Sequence, residues 1–153
     1  MAADQRPSGI EAHLGYWLRT VSNAVSQSFA RKVEAEGVTV AEWVLLRVLY
    51  DAERIGPSLL AERIGMTKGA ISKLADRLIQ KDLVARNADP DDRRAHTLAL
   101  KPSGRALVPK LAAQADQNDE AFFGVLAAKE RDQLERLLRK IVSARELKTM
   151  PTD

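Results

Sequence analysis

Cysteine is absent from this chain of 153 residues. Its absence excludes disulfide bridges, thiolate metal ligands and thiol-based redox switches. No apolar run approaches the roughly 20 residues that a membrane-spanning helix needs. The leading residues MAADQRPSG also lack the hydrophobic core of a signal peptide. We therefore expect a cytoplasmic protein without disulfides.

Histidine is scarce, because only His13 and His96 occur and they lie far apart in the sequence. The sequence contains no metalloprotease helix motif, phosphate-binding glycine loop or nucleophile elbow. Two histidines and scattered carboxylates offer little material for a dedicated zinc site. We predict a protein that is not an enzyme and has no catalytic residues, no cofactor and no bound metal. A metal-responsive regulator stays open as an alternative.

Net charge is only +3, so a strongly basic arm is absent, but the charges are unevenly distributed. The segment from Arg54 to Arg105 holds 11 of the 24 Lys and Arg residues and only 6 of the 21 Asp and Glu residues. This segment therefore carries +5 and the rest of the chain −2. Such a distribution favours a central module that faces nucleic acid, with flanks that have another use.

A helix-turn-helix pattern occupies residues 60–78, LAERIGMTKGAISKLADRL. The small Ala61 lets the first helix lie close to the second, and Gly65 suits a turn with positive φ. Helical spacing directs one set of apolar residues inward: Ile64, Met66, Ile71, Leu74 and Leu78. It leaves small, polar and basic residues facing outward: Thr67, Lys68, Gly69, Ser72, Lys73 and Asp76. The second helix therefore has the character of one that enters a DNA major groove.

Apolar spacing and capping residues predict the remaining elements. We expect Thr39 and Glu42 to form a capping box at the start of a second helix, and Thr67 to cap the recognition helix. The predicted helices cover 10–36, about 39–53, about 58–64, about 68–81, about 103 to 123 or 126, and about 129–147. Two short strands, 83–87 and 96–101, flank the turn-rich ADPDDRRA and predict a β-hairpin wing.

The predicted fold class is mainly α (α+β), a winged helix-turn-helix domain over 38–101 with long helices on either side. Residues 1–9 are expected to be a disordered lead. The helices in 10–36 and 103–148 have broader apolar faces than the central module can cover. We therefore expect them to form a two-fold dimer interface. The alternative that they fold back on the module within one monomer stays open.

The order of these elements, together with three motifs, resembles the MarR (multiple antibiotic resistance regulator) family of bacterial transcription regulators. The motifs are LLAERIGMTKGAISKLADRLIQKDLVAR, the wing segment DPDDRRAHTLALKPSG and the closing LAAKERDQLERLLRKI. One departure is Pro102 after Lys101, where the family more often has a threonine. The resemblance implies a homodimeric repressor, less often an activator, that binds a pseudo-palindromic operator in double-stranded DNA. The lack of cysteine excludes the branch of the family that senses peroxide by thiol oxidation.

Roles on the recognition helix follow from its outward face. Its N-terminal part can reach base edges and phosphates through Thr67, Lys68, Gly69, Ser72 and Lys73. Arg77 is expected to contact a phosphate or to pair with a nearby carboxylate. Because Asp76 would repel phosphate, we expect it to reject a base or to hold a lysine or arginine. The alternative for Lys68 and Lys73 is that they are ordinary solvated lysines.

Roles in the wing follow from the resemblance. Asp92 is implied to orient Arg94, which inserts into the minor groove, while Arg93 and Arg86 contact phosphates. Asp92 and Arg94 are separated by one residue, so they are expected to point to the same side of an extended hairpin. The alternative is an exposed salt bridge in a polar turn.

A small-molecule effector is the remaining expectation. Many members of the family bind a small, often aromatic anion between the dimerisation helices and the DNA-binding lobe. Aromatic walls with basic residues would suit an aromatic carboxylate. The nearest candidates for such a pocket are His13, Tyr16, Trp17, Arg19, Trp43 and Arg47. Alternatively, Trp17 and Trp43 are simply core residues. A helical interaction protein that binds no DNA is also possible, although it would not explain the basic wing.

Overall fold

The computed structural model describes residues 6–147 of the chain. Residues 1–5 of the predicted lead and residue 148 of the predicted C-terminal helical region lie outside the described residues. Residues 6–9 precede the first helical turn and are exposed. Among residues 6–147, no helix combines the length and apolar character that crossing a membrane requires.

Within this range the chain forms six α-helices, a short 3₁₀-helix and a two-stranded sheet. The helices are the 3₁₀-helix Ile10–Ala12, α1 Leu14–Ala35, α2 Val40–Tyr50, α3 Pro57–Ile64, α4 Lys68–Gln80, α5 Pro102–Phe123 and α6 Ala128–Ala144. The strands β1 Val84–Ala88 and β2 His96–Leu100 pair antiparallel, with Val84 opposite Leu100 and Ala88 opposite His96. The predicted mainly α fold class with a β-hairpin wing is confirmed.

Three predicted helix boundaries are wrong. The last helix, α6, ends at Ala144 and not near residue 147. The first helix does not run unbroken from residue 10, because His13 has extended backbone angles (φ −102°, ψ 127°) between the 3₁₀-helix and α1. The second helix ends at Tyr50 and not near residue 53. Its end is explained by Ile55, whose backbone exchanges two hydrogen bonds with Leu98 of β2, at 3.0 and 2.8 Å. The chain must therefore leave the helix early enough to reach the edge of the sheet.

Local chemistry accounts for the helix ends at the central module. Thr39 and Thr67 each cap a helix by accepting a hydrogen bond, from the backbone N–H of Glu42 and Ala70 respectively, both at 3.1 Å. Gly65 ends α3 with φ +77°, a left-handed conformation that glycine adopts at little cost. The capping box expected at Thr39 is only half formed, because the carboxylate of Glu42 accepts a hydrogen bond from Lys81.

The hydrophobic core lies where α2, α3, α4, the sheet and the first half of α5 meet. Its largest fully buried apolar side chains are Leu45, Leu46, Leu49, Leu60, Ile64, Ile71, Leu78, Leu98 and Leu111. The long helices α1 and α6 lie mostly outside this core. No residue of α6 is buried, and Val33 is the one buried residue of α1. The module that holds α4 and the wing is therefore packed within one chain, whereas much of the apolar surface of α1 and α6 is not.

Candidate nucleic-acid interface

Helix α4 presents the face that the sequence predicted. Ile71, Leu74 and Leu78 are buried, as is Ile64 at the end of α3, while Met66 is partly buried. The outward residues are all exposed: Thr67, Lys68, Gly69, Ser72, Lys73, Asp76 and Arg77. The first turn of α4 contains no acidic residue. Because a helix N-terminus carries a partial positive charge, this end of α4 is suited to contact phosphate.

A salt bridge connects this helix to the wing. The Nη2 atom of Arg86, on β1, donates to Oδ1 of Asp76 at 2.8 Å. Both side chains are solvent-exposed, so the pair contributes little to stability. It nevertheless holds Arg86 beside the outward face of α4. The expectation that Asp76 holds a lysine or arginine is confirmed, and Arg86 is the residue that it holds.

The wing tip is a loop of seven residues, 89–95, between the two strands. Its backbone is closed by the hydrogen bond from Asp89 N to Ala95 O at 3.0 Å. Within the turn, Oδ1 of Asp92 accepts from the backbone N–H of Arg94 at 3.0 Å. The expected extended geometry of Asp92 and Arg94 is wrong, because β1 ends at Ala88 and β2 begins only at His96. Asp92 therefore orients the backbone of Arg94, and the roles of Asp92, Arg93 and Arg94 at DNA stay predictions.

A cleft of about 460 Å³ separates α4 from the wing. Its polar lining comes from both sides and includes Lys68, Ser72, Arg86, Asp89, Arg94 and His96. Ser58, near the start of α3, also lines this cleft, and sequence reasoning missed it. Ser58 reaches the wing because the neighbouring Ile55 pairs with β2, a contact that no local pattern reveals. The excess of cationic side chains makes the cleft suited to an anion such as a DNA phosphate.

The six candidates for an effector pocket do not meet within one chain. Tyr16 and Trp17 pack edge to face, with ring centroids 5.2 Å apart, and the Trp17 indole donates to the backbone of Glu11. Trp43 instead packs against Phe29, at 6.3 Å. Phe29 follows Trp17 along α1 by twelve residues, which corresponds to about 18 Å of helix. The two tryptophans therefore belong to separate aromatic groups.

The other candidates do not bring these two groups together. His13 and Arg19 are exposed near the first tryptophan, at the start of α1. Arg47 lies on α2, where it pairs with Asp51 at 2.7 Å and lies 5.8 Å from the centre of the Tyr50 ring. Within residues 6–147, no group of three or more His, Asp or Glu side chains is arranged to hold a metal ion.

Comparison with known proteins agrees with this geometry. The model of the MarR family matches residues 38–96. The transcriptional repressor NicR of Pseudomonas putida is 32% identical over 94% of this chain and 90% of its own length. A transcriptional regulatory protein for the hcr operon of Thauera aromatica is 30% identical over 84% of this chain and 78% of its own length.

A solved structure shares the fold. BpsR of Bordetella bronchiseptica, described in connection with regulation of its DNA binding by 6-hydroxynicotinic acid, superposes with a TM-score of 0.75 and 28% identity. The similarity covers 89% of this chain and 97% of BpsR. The exposed recognition helix, the wing and these likenesses over most of the chain lead to one conclusion: the chain belongs to the MarR family of winged-helix transcriptional regulators.

Proposed function

We propose that this regulator is a homodimeric repressor that binds a pseudo-palindromic operator and is released by a small aromatic carboxylate. One observation supports the proposal: the chain has both an exposed basic face, on α4 and the wing, and exposed apolar faces on α1 and α6. A repressor acts where the chromosome lies, so we place it in the cytoplasm. As in the sequence-based prediction, it is a regulator and not an enzyme.

The dimer follows from apolar surface that one chain leaves in water. On α1, Leu14 is 87% exposed, and on α6, Ile141 is 54% exposed. Other large apolar side chains of these helices are also exposed: Trp17, Leu18, Val21, Leu137, Leu138 and Val142. Because no residue of α6 is buried in the single chain, the alternative that this helix folds back on its own module has no support. A second copy would cover both helices by two-fold packing.

The DNA contacts are proposed from the exposed residues of α4 and the wing. Thr67, Lys68, Gly69, Ser72 and Lys73 would reach base edges and phosphates from the N-terminal part of α4. Arg77 and Arg86 would contact phosphates, the latter held by Asp76. Arg94 would enter the minor groove, with Asp92 shaping the turn and Arg93 beside it on the backbone.

Selection of binding sequences from a random DNA pool tests this proposal. Two-fold symmetry predicts half-sites with centres roughly 34 to 36 Å apart, one helical turn of DNA. Sedimentation of the selected complex should give two chains per duplex, and affinity should fall steeply with salt. A selected site without symmetry, bound by a single chain, would contradict the proposal.

Two wing variants distinguish a contact inside the minor groove from a contact to a phosphate. We expect Arg94→Ala to weaken operator binding strongly, because a narrow minor groove attracts an inserted arginine through its negative potential. Its neighbour Arg93 is the matched control, since Arg93→Ala should weaken binding to all sequences equally and reduce the salt slope by about 1. Fluorescence anisotropy with labelled operator and a scrambled duplex measures both effects. Unchanged operator affinity in Arg94→Ala would refute the role of Arg94.

The effector class is proposed from the relative BpsR, described in connection with regulation of its DNA binding by 6-hydroxynicotinic acid. The aromatic groups at Trp17 and at Trp43 lie apart within one chain, so each is a separate candidate site. The chain contains two tryptophans, so Trp17→Phe and Trp43→Phe each leave one fluorescent reporter. We expect 6-hydroxynicotinic acid to quench one of them and to release operator at the same concentration. If neither reporter responds and the operator stays bound, this ligand class is wrong while the DNA-binding proposal is unaffected.

A further inference from the structure

Glu42 is a carboxylate in the core. It is the third residue of α2 and only 1% exposed. At the same position in α6, Glu130 bends back and accepts from the backbone N–H of Ala127 at 2.8 Å. Glu42 instead accepts from Nζ of Lys81 at 2.7 Å, 39 residues away in the sequence. Since a buried carboxylate needs a cationic partner, Lys81 is what allows Glu42 to be buried.

Lys81 ties the end of the recognition helix to a second element. It follows α4 directly and is its C-terminal cap. Besides bonding to Glu42, its ammonium donates to the carbonyl oxygen of Gly37 at 2.8 Å. Gly37, with φ +86°, forms the turn between α1 and α2. One ammonium group therefore joins the recognition helix to the corner where α1 ends.

The start of α5 binds the backbone of Asp82 and Leu83, the two residues that follow Lys81. The hydroxyl of Ser103 donates to the carbonyl oxygen of Asp82. The backbone N–H of Lys101 donates to the carbonyl oxygen of Leu83 at 3.0 Å. A Cβ atom added to Gly104 would lie 2.2 Å from the same Leu83 oxygen, so α5 lies against this backbone. The turn over residues 81–83 is thus held between the end of α1 and the start of α5.

We propose that Glu42 and Lys81 are positioning residues that set the angle of α4 against α1 and α5 and so restrict the dimer to one spacing of operator half-sites. The inference rests on the proposed function, because it requires two recognition helices on one duplex. A small change in this angle displaces the N-terminal end of α4 by a distance that matters for DNA binding. Rotating α4 by about 10° about its C-terminal end moves the N-terminal end of this helix, about 20 Å away, by about 3.4 Å, the rise of one base pair.

A double substitution, Glu42→Met with Lys81→Met, tests the inference. Glu42 is buried and Lys81 is 38% exposed. Replacing both residues removes the buried charge together with its partner and leaves no unpaired carboxylate, so the thermal midpoint should change little. The matched control is Glu36→Met with Lys110→Met. That pair also joins a lysine to a glutamate, at 3.0 Å, but links α1 to α5 without touching α4.

The readout is affinity for duplexes whose half-sites are moved apart or together by one base pair, which changes their separation by about 3.4 Å. We expect wild type and the control to lose affinity steeply on the shifted duplexes. For the Glu42/Lys81 variant, the loss of affinity on the shifted duplexes should be about 2-fold to 30-fold smaller than for wild type. This is the range in which substitutions between coupled sites change their coupling. A merely structural role would lower affinity on every duplex alike.

The outcomes separate the two proposals. If wild type selects no two-half-site operator, the proposed function fails. If wild type discriminates between spacings and the Glu42/Lys81 variant does so equally, or the control relaxes as much, the positioning role fails. Should the methionine variant not fold, Glu42→Gln with Lys81→Met also removes the link to α4, while the new amide can bond the backbone N–H of Thr39 in a capping box, and the same loss of discrimination is expected of it.

Discussion

Replacing Gly104 by alanine tests the close approach between α5 and the turn that follows the recognition helix. Gly104 is the third residue of α5 and is buried. The added Cβ would lie 2.2 Å from the carbonyl oxygen of Leu83 and 3.2 Å from Cδ2 of Leu100. Because carbon and carbonyl oxygen rarely approach closer than about 3.3 Å, α5 must move by about 1 Å.

Two opposing effects decide the size of the change. Alanine is favoured over glycine in a helix by about 1 kcal/mol. Overpacking costs typically 1 to 3 kcal/mol, and we expect the upper end here because the obstacle is backbone, which cannot rotate away as a side chain can. The net destabilisation is then about 2 kcal/mol, which for a chain of this size lowers the thermal midpoint by about 4 to 8 °C.

Gly69→Ala is the matched control. Gly69 is the second residue of α4, and nothing lies within 4 Å of the position its Cβ would take. Its substitution should leave the thermal midpoint unchanged or raise it. Calorimetric melts of both variants must be compared at equal chain concentration, because dimer stability depends on concentration. If Gly104→Ala melts no lower than wild type while Gly69→Ala behaves as expected, the close approach at Leu83 is refuted.

Two further predictions concern charged pairs. Asp76→Asn removes a negative charge from the DNA-facing helix, while its amide oxygen can still accept the hydrogen bond from Arg86. Affinity for DNA should therefore rise, and the salt slope should steepen by about 0.9 for each additional phosphate that is neutralised. Anisotropy titrations over a range of KCl measure this, and weaker binding would contradict it. The hydrogen bond from Lys110 lowers the pKa of Glu36. The stability it provides is present above the ordinary value of 4.5 and is lost as pH falls through the lowered pKa. Melts of Lys110→Met should therefore depend less on pH in the acid range than those of wild type, and equal dependence would exclude this contribution.

The features that sequence reasoning predicted well are those set by local chemistry. Thr67 caps α4 because its hydroxyl oxygen reaches an N–H three residues away. Gly65 turns the chain because its backbone tolerates positive φ. The inward face of α4 follows from helical spacing. Each of these depends on residues within one or two turns, so neighbouring residue types are enough to place the helix-turn-helix.

Features that depend on distance between elements could not be predicted in this way. Alternation along a strand placed Asp92 and Arg94 on one side, but both lie in the turn between strands, where that rule does not apply. Aromatic residue type makes Trp17 and Trp43 candidates for one pocket, yet each packs against a different aromatic residue, Tyr16 and Phe29 respectively. A shared residue type says nothing about how far apart two helical positions lie.

Glu42 shows how tertiary contact overrides a local motif. Threonine followed by glutamate three residues later predicts a capping box, and Thr39 performs its half. Thr39 is exposed, so water can satisfy its backbone N–H without help from Glu42. The Glu42 carboxylate is buried, so losing its cation would leave a charge that water cannot reach. The carboxylate therefore binds Lys81, and only the packing of α2 against the end of α4 determines that choice.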